Sequence, residues 1–242
     1  MKAVVLCAGY GTRLGDLTRD LPKPMLDVGG VPLLERTLRH LAGQGISEAA
    51  INLHFLPEAI PRHFGDGTVF GLRLRYFHET SPLGTAGALR QMAGFLDESF
   101  LVHYGDILTD QSLAPLLDVH RLKRTTCTLL LHRRARSNSV ARLEGDGTVS
   151  AFWERPKDSP AVSDPWVFSG LCVCEPRLLA EIPDGAVADL PRDLFPLLAT
   201  AGQLAGVPLS GTRVAIDSPE RLEEARRLVA VGTHLAPRGG GA

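Results

Sequence analysis

The sequence predicts an α/β fold built on a mainly parallel sheet, and three observations predict it. Short β-branched runs alternate along the chain with longer stretches whose apolar residues recur at helical spacing. The first strand-like run, KAVVLCA, leads into a glycine-rich turn, and open parallel sheets gather their ligands at the carboxyl ends of strands. Apolar residues make up 44% and charged residues 22% of the 242, the balance of a globular chain rather than a disordered or fibrous one.

In order, KAVVLCA reads as a buried strand. PLLERTLRHLAGQG places Leu33, Leu34, Leu38 and Leu41 on one helical face, with glycine at the exit. EAAINLH is the second strand, PEAIPRHF a short helix, and LRLRYF an alternating strand. GTAGALRQMAGFL runs from loop into helix, and SFLVHYGD is a strand ending in an acid. A helix near LAPLLDVHRLKR and the strand TCTLLLH follow. GDG between two alternating runs, SNSVARLE and TVSAFWERP, marks a hairpin. From PWVFSGLCV onward come another strand, two helices and a strand pair near LAGVPLSGTRVAI. The last helix, SPERLEEARRLVAV, has Ser218 as N-cap, Pro219 at its first position, Glu220 at its start and Arg226 and Arg227 near its end. Residues 1–234 are expected to form one domain and 235–242 a disordered tail.

Lys and Arg number 26 against 27 Asp and Glu, a net charge of -1, so no basic field invites nucleic acid. The longest apolar runs fall well short of the roughly 20 residues that span a bilayer, and the N-terminus lacks the apolar stretch and cleavage site of a signal peptide. A cytoplasmic protein with no membrane partner is expected. Cys7, Cys127, Cys172 and Cys174 each sit in an apolar strand-like run, the setting of reduced thiols. Cys172 and Cys174 alternate on a strand with no histidine close in sequence, which favours packing over a metal or redox site.

The turn after the first strand carries Gly9 and Gly11, followed by Arg13 and by Lys23 between two prolines. Glycine lets backbone N–H groups approach an anion, and the two cations add the charge that a polyphosphate requires. The prolines lower the entropy cost of holding Lys23 in place. Taken alone, AGYGTRL is also compatible with a plain turn, because it lacks the third glycine of a dinucleotide fingerprint and the Gly-Lys-Ser/Thr of a P-loop.

The longer pattern GYGTRLGDLTRDLPKPML resembles the signature of the sugar-1-phosphate nucleotidyltransferases, in which G-x-G-T-R-L is followed by P-K-P. The resemblance continues in order through SPLGTAGAL, VHYGDIL, FWERP, VFSGL and PLSGTRVAIDSPE, and it is closest in look to the short mannose- and heptose-1-phosphate guanylyltransferase branch. It implies a Rossmann-like, mixed, mainly parallel sheet flanked by helices, of the nucleotide-diphospho-sugar transferase type; nothing after the last helix suggests a β-helix domain. It also implies transfer of a nucleotidyl group from a nucleoside triphosphate to a sugar 1-phosphate with Mg²⁺ as cofactor. The partners are then these two substrates, with a homo-oligomer left open.

The resemblance assigns roles residue by residue. Arg13 matches the arginine on the leaving pyrophosphate and Lys23 the lysine near the two reacting phosphates, while Asp106 matches the Mg²⁺-binding aspartate; these are the expected catalytic residues. Leu6, Ala8, Gly9, Gly11, Thr12, Glu79, Gly84 and Thr85, with Arg13, are expected around the nucleotide. Tyr104, Glu154, Arg155, Ser169 and Gly170 are expected around the sugar phosphate, with Tyr104 standing where many relatives carry asparagine. Ala215 occupies the position of the usual second metal ligand and Asp217 lies two residues on. Side chains two apart on a strand share a face about 6–7 Å apart, so Asp217 either serves as the displaced ligand or is a turn acid ahead of the last helix. A carboxylate only accepts hydrogen bonds, so Glu79 suits the donor edge of guanine and points to GTP. A thymidylyl-, uridylyl- or cytidylyltransferase is the alternative within enzymes. The change at Ala215 also leaves room for an inactive nucleotide-sugar-binding regulator.

Overall fold

A computed structural model of the protein describes residues 1–134, 137–156, 162 and 165–232. The elements run β1 (Lys2–Leu6), α1 (Leu33–Gly43), β2 (Glu48–Leu53), α2 (Ala59–Phe64), β3 (Arg73–His78), α3 (Gly84–Gln91), β4 (Phe100–Tyr104), β5 (Ile107–Thr109) and α4 (Ala114–Lys123). They continue with β6 (Cys127–Arg133), β7 (Ser139–Leu143), β8 (Val149–Glu154), β9 (Trp166–Cys174), α5 (Phe195–Thr200), β10 (Leu204–Pro208), β11 (Arg213–Ala215) and α6 (Pro219–Ala230). The chain divides into two compact units. One comprises Met1–Pro82, His103–Gln111 and Gly211–Ala242; the other comprises Leu83–Val102 and Ser112–Ser210. The expected tail at 235–242 lies outside the described residues.

In the first unit β1, β2 and β3 pair in parallel, with Leu6 opposite Asn52 and Asn52 opposite Phe77. The apolar runs of β1 and β2 are buried along nearly their whole length, whereas β3 exposes Arg73, Arg75 and His78, the profiles of interior and outer strands. The four leucines foreseen on α1 are all buried. A second core joins Leu14, Leu26, Val28 and Leu33 to Leu108, Val214, Ile216, Leu222 and Ala225. It packs the segment after the glycine turn against β5, β11 and α6. Helix α6 begins as expected, with the Ser218 hydroxyl accepting from the Arg221 N–H.

In the second unit β10 lies parallel to β6, β6 antiparallel to β9, and the hairpin β7–β8 forms about the GDG turn. The register between β6 and β9 jumps from Leu129–Cys172 to Leu131–Phe168, so three residues of β9, Ser169 to Leu171, face one of β6. This is a bulge, and Gly170 within it takes φ 85°, a conformation that glycine adopts without penalty. All four cysteines are buried. Cys127 brings its sulfur to 3.5 Å from that of Cys174, which lies 3.7 Å from that of Cys172. Burial pushes the Cys127 and Cys174 thiols up, as expected of thiols packed among apolar neighbours.

Two expectations are corrected. The sequence pattern leads from the strand before Asp106 straight to the next helix, yet Ile107–Thr109 forms β5 between them. The segment LAGVPLSGTRVAI does supply two strands, but they do not pair with each other: β10 joins β6, and β11 runs antiparallel to β5. The reason lies in the residues between them. The Gly211 N–H donates to Gln111, the Thr212 N–H donates to Asp110, and the Thr109 hydroxyl donates to the Thr212 carbonyl. These bonds turn the chain onto β5 before β11 begins.

His103, on β4, is fully buried and its pKa falls to about 4, first through burial and then through repulsion from His40. The folded protein therefore keeps His103 neutral, whereas the unfolded chain takes up a proton near the ordinary value of about 6.5. Stability from this group is complete above about pH 6.5 and is lost as pH falls toward 4. Urea unfolding should show wild type losing about 2 kcal/mol between pH 7 and pH 5 through this residue, and His103→Gln should flatten that slope by the same amount.

Candidate functional site

The first unit gathers its chemistry at the carboxyl end of β1. Gly9, Tyr10, Thr12 and Arg13 are exposed there, and Leu6, Ala8 and Gly11 half-buried. Gly11 takes φ 68°, and its carbonyl accepts from the Leu14 N–H and the Thr18 hydroxyl. A Cβ at Gly11 would stand 3.2 Å from Thr18 and 3.3 Å from Lys23. The turn needs glycine there for both conformation and closeness. A Cβ on Gly9 would meet nothing within 4 Å, so the structure leaves open space above that backbone.

Lys23 opens a single 3₁₀ turn, with Pro22 extended before it and Pro24 buried after it. Its Nζ lies 2.7 Å from Asp106 Oδ2, with the two side chains 13% and 28% exposed. Asp106 is carried there by Gly105, whose N–H donates to the Leu6 carbonyl at 2.9 Å. A Cβ at Gly105 would lie 2.6 Å from that oxygen and 2.8 Å from Cys7 Sγ. No other residue permits this approach. Asp217 comes from the opposite direction in sequence. The register Ala215–Ile107 and the bond from the Ile216 N–H to the Asp106 carbonyl bring the backbone one residue before it against Asp106, at the end of the β5–β11 pair. Arg13 Nη1 lies 3.7 Å from Asp217 Oδ2. Two acids and two cations thus occupy one corner, and each acid has a cation partner. Carboxylate oxygens of this kind suit a hard cation such as Mg²⁺.

Glu79 is 1% exposed, and its Oε1 accepts from Asn52 Nδ2 at 2.7 Å. Its carboxyl is thus bound inside the unit. Tyr104, at the end of β4, is half-buried. Asn52, His54 and Tyr10 also stand at these strand ends. Sequence reading passed over them, although polar residues at the carboxyl end of INLH are the signal that points to them.

In the second unit Gly84 takes φ 74°, and a Cβ there would stand 2.4 Å from the Ala188 carbonyl. The Thr85 N–H donates to Asp189 Oδ1 at 3.0 Å, and the Thr85 hydroxyl accepts from the Leu190 N–H at 2.8 Å. The Ala86 and Gly87 N–H groups both donate to the Ala188 carbonyl. The start of α3 is therefore capped from within its own unit. Glu154 ends β8 with its side chain 19% exposed; burial raises its pKa, Arg155 opposes that, and Asp189 adds to it. Arg155 is exposed and takes φ 46°, an uncommon conformation for a residue with a side chain. The Ser169 hydroxyl is buried against His132 Nδ1 at 3.0 Å, so the bulge turns it inward; Gly170 follows it in the bulge.

A family model described as nucleotidyl transferase matches residues 2–207. A mannose-1-phosphate guanylyltransferase of Mycobacterium tuberculosis is 36% identical over 203 residues, covering 83% of this chain and 56% of its own length. A UTP–glucose-1-phosphate uridylyltransferase of Synechocystis is 32% identical over 218 residues, covering 84% of this chain and 56% of its own. The chain thus spans little more than half the length of these relatives. A Bacillus anthracis structure, described as a candidate glucose-1-phosphate thymidylyltransferase, superposes with a TM-score of 0.83 over 94% of both chains at 20% identity. HddC from Yersinia pseudotuberculosis complexed with GMP-PN gives 0.77 at 19% identity, over 94% of this chain and 99% of its own. The fold is accordingly the mixed, mainly parallel sheet flanked by helices that the sequence predicts.

The glycines give an ordered series. Gly105→Ala must force a pair of backbone segments away from each other and should cost more than about 2 kcal/mol, Gly11→Ala about 1–2. Gly9→Ala should stay within about 0.5 kcal/mol. Chemical denaturation of the three variants checks the order.

Proposed function

Because the chain belongs to the nucleotidyl transferase family, we propose that it transfers a nucleotidyl group from a nucleoside triphosphate to a sugar 1-phosphate and releases pyrophosphate. GTP with a mannose- or heptose-type sugar 1-phosphate is the favoured pair. The observation that carries the reading is the corner where Arg13, Lys23, Asp106 and Asp217 meet beside a glycine turn. We read residues 1–234 as one catalytic domain, acting in the cytoplasm without nucleic-acid or membrane partners. Among the described residues no helix is long and apolar enough to cross a membrane.

In this reading an oxygen of the sugar phosphate attacks the α-phosphorus in line, the bond to the bridging oxygen of the β-phosphate breaks, and pyrophosphate leaves. Catalysis of this kind is mostly positioning and charge neutralisation. Arg13 lies on the exposed side of the turn, where its planar guanidinium can grip the leaving pyrophosphate with two parallel bonds. Lys23 is held in place by prolines and acts as a point charge near the two reacting phosphates. Asp106 and Asp217 would hold Mg²⁺, which would neutralise charge on the phosphate oxygens. The pairing of each acid with a cation balances the corner before substrate arrives; an incoming triphosphate competes for both cations. Leu6, Ala8, Gly9, Gly11 and Thr12 line the nucleotide side of the turn, with Gly84 and Thr85 assigned to the base. Tyr104, Glu154, Arg155 and Gly170 are assigned to the sugar phosphate. Ser169 joins them only by turning from His132.

The preference for GTP follows the Mycobacterium tuberculosis relative. The uridylyltransferase of Synechocystis, at 32% identity, supports UTP as the second reading. Against the inactive regulator that Ala215 suggested, Asp217 supports the enzyme reading: it follows Ile216, whose N–H donates to the Asp106 carbonyl.

Pyrophosphate release across GTP, UTP, dTTP, CTP and ATP with mannose 1-phosphate or a heptose 1-phosphate tests the proposal, and tight nucleotide binding without release would defeat it. Arg13→Ala should lower kcat about 10²–10³-fold while the sugar-phosphate KM moves little; an unchanged kcat would remove Arg13 from the mechanism. Asp106→Asn should abolish Mg²⁺-dependent turnover. Asp217→Asn should raise the Mg²⁺ concentration needed for half-maximal rate, and an unaltered requirement would return Asp217 to a turn role.

A further inference from the structure

One polar circuit links the carboxyl ends of β1, β2 and β3. The N–H of Cys7, the first residue past β1, donates to Asn52 Oδ1 at 2.6 Å. Asn52 Nδ2 donates to Glu79 Oε1 at 2.7 Å. Glu79 is itself fixed by its N–H, which donates to the Leu53 carbonyl at 2.8 Å. Its carbonyl faces His54 Nδ1 at 2.8 Å, and His54 Nε2 faces the Tyr10 hydroxyl at 2.7 Å. The circuit starts at Cys7 and returns at Tyr10, so it grips both ends of the segment that holds Gly9.

The donor and acceptor at each link are forced. A backbone carbonyl only accepts, so Nδ1 of His54 carries the proton; in the neutral ring Nε2 then accepts from Tyr10. The Cys7 N–H requires the oxygen of the Asn52 amide, which turns its NH₂ toward the Glu79 carboxylate. Asparagine alone among side chains of this size both accepts and donates in this way; aspartate would set two carboxylates face to face. Asn52 is 4% and Glu79 1% exposed, so a broken link leaves a buried polar group unmet. Tyr10 is 49% exposed but braced, with its ring edge-on to His54 at 5.2 Å and tilted against Phe55 at 5.9 Å. A glycine turn left to itself samples many conformations, and holding it ready removes that cost from substrate binding.

We propose that Asn52, Glu79 and His54 are positioning residues that hold the glycine turn in its phosphate-receiving shape, and that Glu79 acts on the nucleotide through Asn52 rather than by reading its base. The kinetic part of this proposal rests on the nucleotidyl-transfer reading; the ordering of the turn does not.

Hydrogen–deuterium exchange of the peptide covering 6–12 and steady-state kinetics together test it. Asn52→Asp should raise exchange in that peptide at least about tenfold and lower kcat about 10²-fold, with sugar-phosphate KM within about threefold. Adding Glu79→Gln should restore both to within about threefold of wild type, because the new amide donates to the new carboxylate. Absence of rescue overturns the circuit. Glu79→Gln alone should scale kcat/KM for GTP and UTP by one common factor; a shift of their ratio beyond about tenfold means that Glu79 reads the base. Tyr10→Phe removes one exposed bond without threatening the core, and should lower kcat about 3–10-fold and loosen the turn. Unchanged exchange in that variant removes Tyr10 and His54 from the circuit. If wild type turns over no substrate pair, the nucleotidyl-transfer reading fails, while the exchange results still decide whether the turn is held as described.

Discussion

The contact between Lys23 Nζ and Asp106 Oδ2, 2.7 Å apart and 83 residues apart in sequence, is the interaction around which the first unit is arranged. It requires three backbone features at once. Pro22 and Pro24 bracket the lysine and restrict its approach. Gly105 lets the aspartate strand come within hydrogen-bonding distance of the end of β1. The pairing of β5 with β11, sealed by bonds from Asp110 and Gln111 to residues 211–212, then keeps Asp106 from swinging outward. With its side chains mostly shielded, the pair is weakly screened, unlike the 3.7 Å contact of Arg13 with Asp217, whose side chains are 68% and 37% exposed. The shielded pair therefore organises the corner, and the exposed one remains available to exchange partners.

The phosphate site that we propose has to satisfy two opposed demands. Its backbone must be bare enough for anions to approach, which calls for glycine, and ordered enough not to consume binding energy in freezing a loop. The protein meets the second demand from outside the loop. Cys7 and Tyr10 are tied through Asn52, Glu79 and His54, all delivered by the ends of β2 and β3, while Thr18 closes back on the Gly11 carbonyl. Rigid strands thus set the shape of a turn whose own residues have little intrinsic preference.

The second unit uses different means. Its bulge at Gly170 redirects the chain and sends Ser169 inward to His132. The start of α3 is closed by Asp189 and the Ala188 carbonyl, and a side chain at Gly84 or Gly87 would collide with that segment. Glycine at these two positions therefore meets a packing requirement of the unit, separate from any contact that Gly84 makes with a ligand.

By itself the sequence determined the order and type of nearly every element, because apolar periodicity is a local property: the buried strands, the leucine face of α1, the GDG hairpin and the Ser218 cap are all written in adjacent residues. It also singled out Arg13, Lys23 and Asp106, through motifs that resemble the signature of the sugar-1-phosphate nucleotidyltransferases. What required the tertiary structure was everything set by pairing across long separations. The residue before Asp217 bonds to the Asp106 backbone because β11 pairs with β5 and not with β10, a choice made by side chains a hundred residues away. Glu79 turns inward because Asn52 waits on a neighbouring strand, and Cys127 meets Cys172 and Cys174 only through the β6–β9 register. Local pattern settles how a segment folds; which partner it meets depends on contacts that no window of sequence contains.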